Sequence, residues 1–441
     1  MNYSGRRVLV LGLGRSGRAA LELLLSQGAR VSAYDRDSSA LTDLPLEVGR
    51  IEGDELPALE TYEIVVASPG FALQARENIV PEVDLAAQLL EAPIVAVTGT
   101  NGKSTTSVMI GDMLRASGFD TAVGGNLGTP LCELVGRRLD WVVAEVSSFQ
   151  LEHARQLRAR VAILLNLAPD HLDRHGTLEA YAAAKARLAE LQSPEDVLVA
   201  NLDDTWAARV AASAPATTFG FSQQRSLASG AFLAGSELVV AREGQIQLRV
   251  EHSALSRAAR TPVANALAAS AAAFVAGARD EAIAAVLTSF EGLPHRANEI
   301  CVRGGVRYVN DSKATNPSAA AATAAAQRSP TVWICGGRNK GLSFAPLVPE
   351  ARRARAVIAY GESAQAIASA LVGATEVIES CRLESALREA ARRAVPGDVV
   401  LLAPACSSHD QFHSFEERGE RFAELARALP DAAPAPGEGS C

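Results

Sequence analysis

The sequence predicts an α/β protein of three domains, each built around a mostly parallel sheet. Short Val, Leu and Ile runs alternate with helix-permitting stretches, and the alternation restarts at Pro93 and again beyond Gly292-Leu293-Pro294. The chain has 441 residues, about three times the ~150 of an average domain. Glycine-rich or polar turns follow several of the apolar runs, at the strand ends where open α/β sheets hold ligands.

The first block, residues 1–91, has strand candidates at 8–12, 30–35 and 63–68. Gly12-Leu-Gly-Arg-Ser-Gly17 follows the first and satisfies G-x-G-x-x-G, and Asp35 closes the second, so a Rossmann-like parallel sheet is expected. By itself this turn fits NAD, another diphosphate-linked ligand, or close helix–strand packing alone. The second block, 92–292, has strand candidates at 94–98, 141–145, 161–166 and 197–201. Its first strand runs into Thr98-Gly-Thr-Asn-Gly-Lys-Ser-Thr105 and then a helix from near Thr105, the arrangement of a P-loop ATPase-like domain. Glycine allows a tight turn with inward N–H groups, the helix start adds partial positive charge, and Lys103 adds a full one. The turn G-x-x-G-K-S is two residues shorter than the general phosphate loop. Further along, the 141–145 strand delivers Glu145 at its end, and Ala168-Pro-Asp-His-Leu-Asp-Arg174 places His171 in a loop. Tyr181-Ala-Ala-Ala-Lys185 lies on a helix expected at 177–192. Imidazole is an unusual Mg²⁺ ligand and a helical lysine is ordinarily solvated, so spacing leaves the roles of His171 and Lys185 open.

The third block, 293–441, has strand candidates at 306–310, 331–335, 356–360 and 399–403, and a second Rossmann-like domain is expected. Three polar loops follow its strands: Asn310-Asp-Ser-Lys-Ala-Thr-Asn-Pro317, Gly336-Gly-Arg-Asn-Lys-Gly341, and Pro404-Ala-Cys-Ser-Ser-His-Asp-Gln-Phe412. The tail from about residue 430, rich in Pro, Gly and Ala, is expected to be disordered.

Hydrophobic residues make up 48% of the chain and charged ones 21%, a composition that supports compact cores. The net charge of −8 and the lack of a basic face argue against nucleic acid. Six scattered cysteines without a C-x-x-C pair suit free thiols in a reducing, cytoplasmic setting. Arg15 and Arg18 interrupt what could pass for an export signal after Arg6-Arg7. The longest uncharged run, 261–278, contains Pro262, Asn265 and Ser270 and is mostly alanine; a packed helix is expected there rather than a membrane span.

In order along the chain, the phosphate loop, Glu145-Val-Ser-Ser-Phe-Gln-Leu-Glu152, Asp170-His171-Leu-Asp-Arg174, Asn310-Asp-Ser-Lys-Ala-Thr-Asn316 and Cys406-Ser-Ser-His-Asp-Gln-Phe412 resemble the Mur ligases of bacterial cell-wall synthesis, and within them the D-glutamate-adding enzymes. The resemblance implies a monomeric ATP-dependent ligase that joins D-glutamate to UDP-N-acetylmuramoyl-L-alanine through an acyl phosphate. It gives the ATP site to Gly99, Thr100, Asn101, Gly102, Lys103, Ser104 and Thr105, with Asn265, Arg296 and Asp311, the last two supplied when the third domain closes. It gives the UDP-muramoyl substrate to Gly14, Arg15, Ser16, Asp35, Arg36, Ser68 and Gly70, with Asn126, Gln150 and His171 nearer the reacting end. D-Glutamate falls to Lys313, Thr315, Lys340, Ser408, His409 and Phe415. Two Mg²⁺ ions are implied, one at Ser104 and Glu145, the other at His171 and Lys185, the lysine as its carbamate. Catalytic roles fall to Lys103, His171, Lys185 and Lys313. The chain departs from the pattern at Thr261-Pro262, where the family has His-Asn, at Arg15 near the uracil, and at His409, which either adds a hydrogen bond or faces solvent. Folylpolyglutamate synthases share the ATP motifs, and an NAD oxidoreductase would use the turn at Gly12–Gly17 instead.

Overall fold

The computed structural model describes residues 2–68, 70, 71, 73, 76–260 and 262–430; Pro69, Thr261 and the tail 431–441 with Cys441 lie outside them. Among the described residues the chain forms four sheets. The first contains β1 (Arg7–Leu11), β2 (Arg30–Tyr34), β3 (Gly49–Ile51), β4 (Ile64–Ala67) and β5 (Ile79–Val80), all parallel, in the order β3-β2-β1-β4-β5. That is the order of a Rossmann half, with the chain reversing direction across the sheet at β1. The second contains β6 (Ile94–Thr98), β7 (Thr121–Gly125), β8 (Trp141–Glu145), β9 (Val161–Leu164), β10 (Val197–Ala200) and β11 (Thr217–Thr218), again parallel, in the order β11-β10-β9-β6-β8-β7. Fully apolar runs such as Ile94-Val-Ala-Val97 suit central strands that are covered on both faces.

A third, four-stranded sheet was not expected: β12 (Gly220–Ser222), β13 (Gly230–Ala234), β14 (Glu237–Arg242) and β15 (Gln245–Glu251). Its last two pairings are antiparallel, and most of β15 is exposed, so no continuous apolar run marks it. The fourth sheet runs β16-β17-β21-β18-β19-β20, from β16 (Asn298–Arg303), β17 (Val306–Asn310), β18 (Thr331–Gly336), β19 (Ala356–Tyr360), β20 (Val377–Ser380) and β21 (Val399–Ala405). Only the edge strand β16 is antiparallel.

The chain divides into two compact units, residues 1–167 with 179–291, and 168–178 with 292–441. The first two sheets share one unit because a single hydrophobic cluster runs from Val8 and Leu24 through Val83 and Leu85 to Leu131, Leu151 and Ala162. The segment 168–178, expected inside the central domain, belongs with the C-terminal unit. The uncharged run forms the buried helix Val263–Val275. Among the described residues no helix is long and apolar enough to cross a membrane, and Cys132, Cys301, Cys335 and Cys406 are free thiols.

Candidate active site

β6 ends at Thr98, and the chain turns through Gly99 into the helix Lys103–Ala116. Gly102 caps that helix at φ +89°, and a Cβ there would collide with Asn265 Oδ1 in the first turn of the helix Val263–Val275. Only glycine lets these two pieces close together. Asn166, just past β9, clamps the loop from another side. Its Oδ1 accepts from Asn101 N at 2.9 Å, its Nδ2 donates to Asn101 O at 3.0 Å, and its carbonyl accepts from Thr100 N at 2.9 Å. Lys103 Nζ donates to the carbonyls of Gly99 and Thr100, both at 3.0 Å, which brings its ammonium inside the turn. Ser104 and Thr105 are buried in the first helical turn.

Lys185 is only 1% exposed, unlike an ordinary helical lysine. It projects from the helix Leu178–Glu190 to donate to Gly99 O at 2.8 Å, with Nζ 4.6 Å from the centre of the Tyr181 ring. The Tyr181 hydroxyl in turn lies 3.2 Å from Thr100 Oγ1. Two ammonium groups thus converge on Gly99, beside the start of a long helix, and this field selects a polyanion. Glu145 closes β8 directly beside Val97 of β6 and is 3% exposed. Asn126 brackets it, donating from Nδ2 to Glu145 Oε1 and from its backbone to Glu145 O, each at 2.8 Å. Gln150 lies in the helix Ser148–Leu151, where its Oε1 accepts from both Ser147 N and Ser147 Oγ at 2.9 Å in a capping box.

Among the described residues no three His, Cys, Asp or Glu side chains gather as a metal cage. Mg²⁺ at a nucleotide needs little from the protein, because phosphates and water fill most of its octahedron. A carboxylate on Glu145 and a hydroxyl on Ser104 are oxygen donors of that kind. As an ammonium donating to Gly99 O, Lys185 does not fit a cation; only its carbamate would.

At the N-terminal turn, Gly12 has φ +85°, and a Cβ on Gly17 would collide with Gly12 O. Gly14 caps the helix Arg15–Ser26, which begins with Arg15, exposed, and Ser16. Asp35 braces this turn: Oδ2 accepts from Leu13 N at 2.6 Å and Oδ1 from Asp37 N at 3.0 Å. Ser68 Oγ donates to Gly12 O at 3.1 Å, Arg36 lies 5.0 Å over the Phe71 ring, and Gly70 is exposed nearby in sequence.

In the C-terminal unit, Asp170 is the centre of a polar cluster. Its Oδ1 is 3.3 Å from Lys340 Nζ, its Oδ2 accepts from Asn316 Nδ2 at 3.0 Å, and His171 N donates to Oδ1 at 2.9 Å. Burial opposes its ionisation, but Lys340, His171 and the Asn316 amide outweigh that and hold its carboxyl below the usual range. His171 itself adopts φ +54° and caps the short helix Leu172–His175. Lys313 Nζ sits 3.6 Å over the Phe415 ring, and Thr315 N donates to Lys313 O. Ser408 is buried at the end of the β21 loop, whereas His409 next to it is exposed. Asp311 is buried and accepts from Thr323 Oγ1; burial raises its carboxyl despite that bond and the nearby Arg296 charge. Arg296 donates from its backbone to Asn298 Oδ1 at 2.9 Å.

Arg418 had no role in the sequence reading, yet it is fully buried and ties two of the polar loops together. It donates to Ser312 Oγ at 2.9 Å, Ser312 O at 2.8 Å and Cys406 O at 3.1 Å. Asn166 was missed in the same way. The sequence marks Asn166 only as a polar residue just past an apolar strand, and Arg418 only as one of several charged residues in the last helix.

Residues 97–273 match the Mur ligase middle domain, and residues 295–406 the Mur ligase glutamate ligase domain. The UDP-N-acetylmuramoylalanine--D-glutamate ligase of Pelotomaculum thermopropionicum is 41% identical over 451 residues, covering 97% of this chain and 99% of the relative. The enzyme of the same name from Geobacter metallireducens is 39% identical with the same coverage, 97% and 99%. Among solved structures, MurF from Acinetobacter baumannii gives a TM-score of 0.63 at 17% identity, covering 97% of this chain and 91% of that one. MurF ligase from Thermotoga maritima in complex with ADP gives 0.62 at 18% identity, covering 97% and 96%. The structural likeness establishes the fold, and identity along nearly the whole chain establishes the family: the chain belongs to the Mur ligases.

Proposed function

We propose that the chain is the ATP-dependent ligase that joins D-glutamate to UDP-N-acetylmuramoyl-L-alanine in peptidoglycan precursor synthesis. The observation that carries the chemistry is the glycine turn at the start of the helix Lys103–Ala116, with the Lys103 ammonium folded inside it and the buried Glu145 closing the neighbouring strand. The acceptor comes from the full-length likeness to D-glutamate ligases.

In this reading the terminal carboxylate of the UDP-linked substrate attacks the γ-phosphorus of ATP, ADP leaves, and an acyl phosphate forms. The D-glutamate amine then adds to the acyl carbon, and the tetrahedral intermediate expels phosphate. Two anions must meet in the first step, so positioned cations lower its barrier. Lys103 and the N–H groups of Gly99 to Thr105 take the β- and γ-phosphates, with Asn265, Arg296 and Asp311 on the rest of the nucleotide. Ser104 and Glu145 would hold a Mg²⁺ ion, which would supply further charge neutralisation at the phosphates. A second ion at His171 and carbamylated Lys185 follows from the family resemblance, and no step here depends on it.

Gly14, Arg15, Ser16, Asp35, Arg36, Ser68 and Gly70 take the UDP, while Asn126, Gln150 and His171 orient the muramoyl end. Lys313, Thr315, Lys340, Ser408 and Phe415 suit a dicarboxylate with two cations, and His409 adds a donor at its rim. Residues 1–91, 92–292 and 293–441, with 168–178 grouped with the last, are the UDP-substrate, ATP and amino-acid domains of a monomeric, cytoplasmic enzyme. A coupled ADP-release assay offering D-Glu, L-Glu, L-Ala and diaminopimelate tests the assignment. Turnover is expected with D-Glu alone; turnover with another acceptor, or tight NAD binding without UDP-substrate binding, overturns it.

A further inference from the structure

The helix Glu82–Ala87 carries two buried carboxylates that the mechanism does not use, Glu82 and Asp84. Asp84, 2% exposed, accepts from three consecutive backbone amides: Arg155 N at 2.5 Å, Gln156 N at 3.0 Å and Leu157 N at 3.0 Å. Glu82 Oε1 accepts from Cys132 N at 2.7 Å, while its Oε2 is buried with no hydrogen-bond partner among the described residues. Arg155 returns the contact, donating to Glu77 O at 3.0 Å and Arg76 O at 3.2 Å. All of these bonds run between the segment that ends the first sheet and the domain built on the second.

Their positions are specific. Cys132 follows the loop of Asn126 by six residues in sequence, and Arg155 follows Gln150 by five. Those two side chains are assigned to the muramoyl end of the substrate, whose UDP end lies on the first sheet. A carboxylate that takes three backbone N–H groups orients a segment without needing the partner's side chains, and a buried, half-satisfied Glu82 is costly to keep for stability alone.

We propose that Glu82 and Asp84 are positioning residues: they lock the UDP-binding sheet to the central domain at one spacing, so that the substrate's UDP and muramoyl ends are engaged together. This inference rests on the ligase reading above. Its consequence is thermodynamic. The UDP-linked substrate gains affinity over UDP alone because its second end binds intramolecularly, and that gain depends on the spacing of the two sites.

The test compares wild type, Asp84→Asn, in which an amide NH₂ replaces one acceptor oxygen, and the milder Arg155→Ala. Dissociation constants for UDP, ADP and UDP-N-acetylmuramoyl-L-alanine are measured by calorimetry. In Asp84→Asn the affinity gain of the full substrate over UDP is expected to fall about fivefold or more, with UDP and ADP affinities within about twofold of wild type. Arg155→Ala should show the same sign at smaller size, and keeps the proposal testable if Asp84→Asn does not fold. Faster amide exchange at Gln156 and Leu157 in Asp84→Asn would support the lock independently of any ligand. An unchanged gain in both variants, or a parallel fall of all three affinities, overturns the positioning role. A wild-type chain that binds the full substrate no better than UDP overturns the ligase reading itself.

Discussion

Lys103 and Lys185 reach the same carbonyl by different routes, one from within the phosphate loop and one from a helix 86 residues further on. Their consequences on substitution should differ. Lys103→Ala removes a fixed cation from where phosphate charge develops, so kcat is expected to fall about 10²- to 10³-fold. The dissociation constant of the UDP-linked substrate should stay within about twofold, because the role proposed for Lys103 is confined to the nucleotide; single-turnover acyl-phosphate formation and equilibrium binding measure the two. Lys185→Ala should also lose turnover, and if the carbamate is the working form, short carboxylates added to the variant restore part of it. Intact activity in that variant would count against the carbamate. Arg418 shows a different use of a buried cation: it meets a hydroxyl and two carbonyls rather than an acid, and so fixes loop geometry.

Among the elements, the helix Glu82–Ala87 and the helix Pro317–Ala325 each carry a testable load. Burial raises the Glu82 carboxyl above its ordinary range, against the bonds from Cys132 that lower it. The folded state therefore holds that proton more tightly than the unfolded chain. The stability it contributes is full below the unfolded carboxylate value and is lost as pH rises through the folded one. Glu82→Gln removes this component. As pH rises above the ordinary glutamate range, its stability in urea should fall less than that of the parent. A slope identical to the parent's would refute the burial argument. The second helix starts at Asn316, whose Oδ1 accepts from Ala319 N at 2.8 Å while its Nδ2 donates to Asp170. Asn316→Ala should cost more than the about 1 kcal/mol of the lost cap, because the bond to the buried Asp170 goes with it; the urea midpoint at unchanged m-value reads the loss.

Across the whole molecule, the first two sheets share one core, while the C-terminal unit has its own. A substrate that engages the first unit should therefore stabilise that core. At about 100 times its dissociation constant, the UDP-linked substrate should add about 2.7 kcal/mol to the stability of the folded chain, visible as a calorimetric shift. No shift would remove the N-terminal site from the reading. The strand–glycine–helix turns at Gly12 and Gly99, the central strands of three sheets and the helix at Val263–Val275 were all legible in the sequence. Each is decided by neighbours within a few residues: an apolar run, a glycine at positive φ, a helix start. The sheet β12 to β15 was not read from the sequence: β15 is mostly exposed and leaves only an interrupted pattern, and the short apolar runs of β13 and β14 sit outside the strand–turn–helix alternation that marked the other sheets. The sequence alone therefore determined the α/β class and the phosphate loop, and the ordered motifs in it pointed to the ligase family. Tertiary structure alone decided that Lys185 is buried on Gly99, that Asp170 meets Lys340 across 170 residues, and that Arg418 joins Ser312 to Cys406 from 106 residues beyond Ser312. Such partners are set by sheet order and domain packing, and no local pattern of residue types encodes a contact made across that much chain.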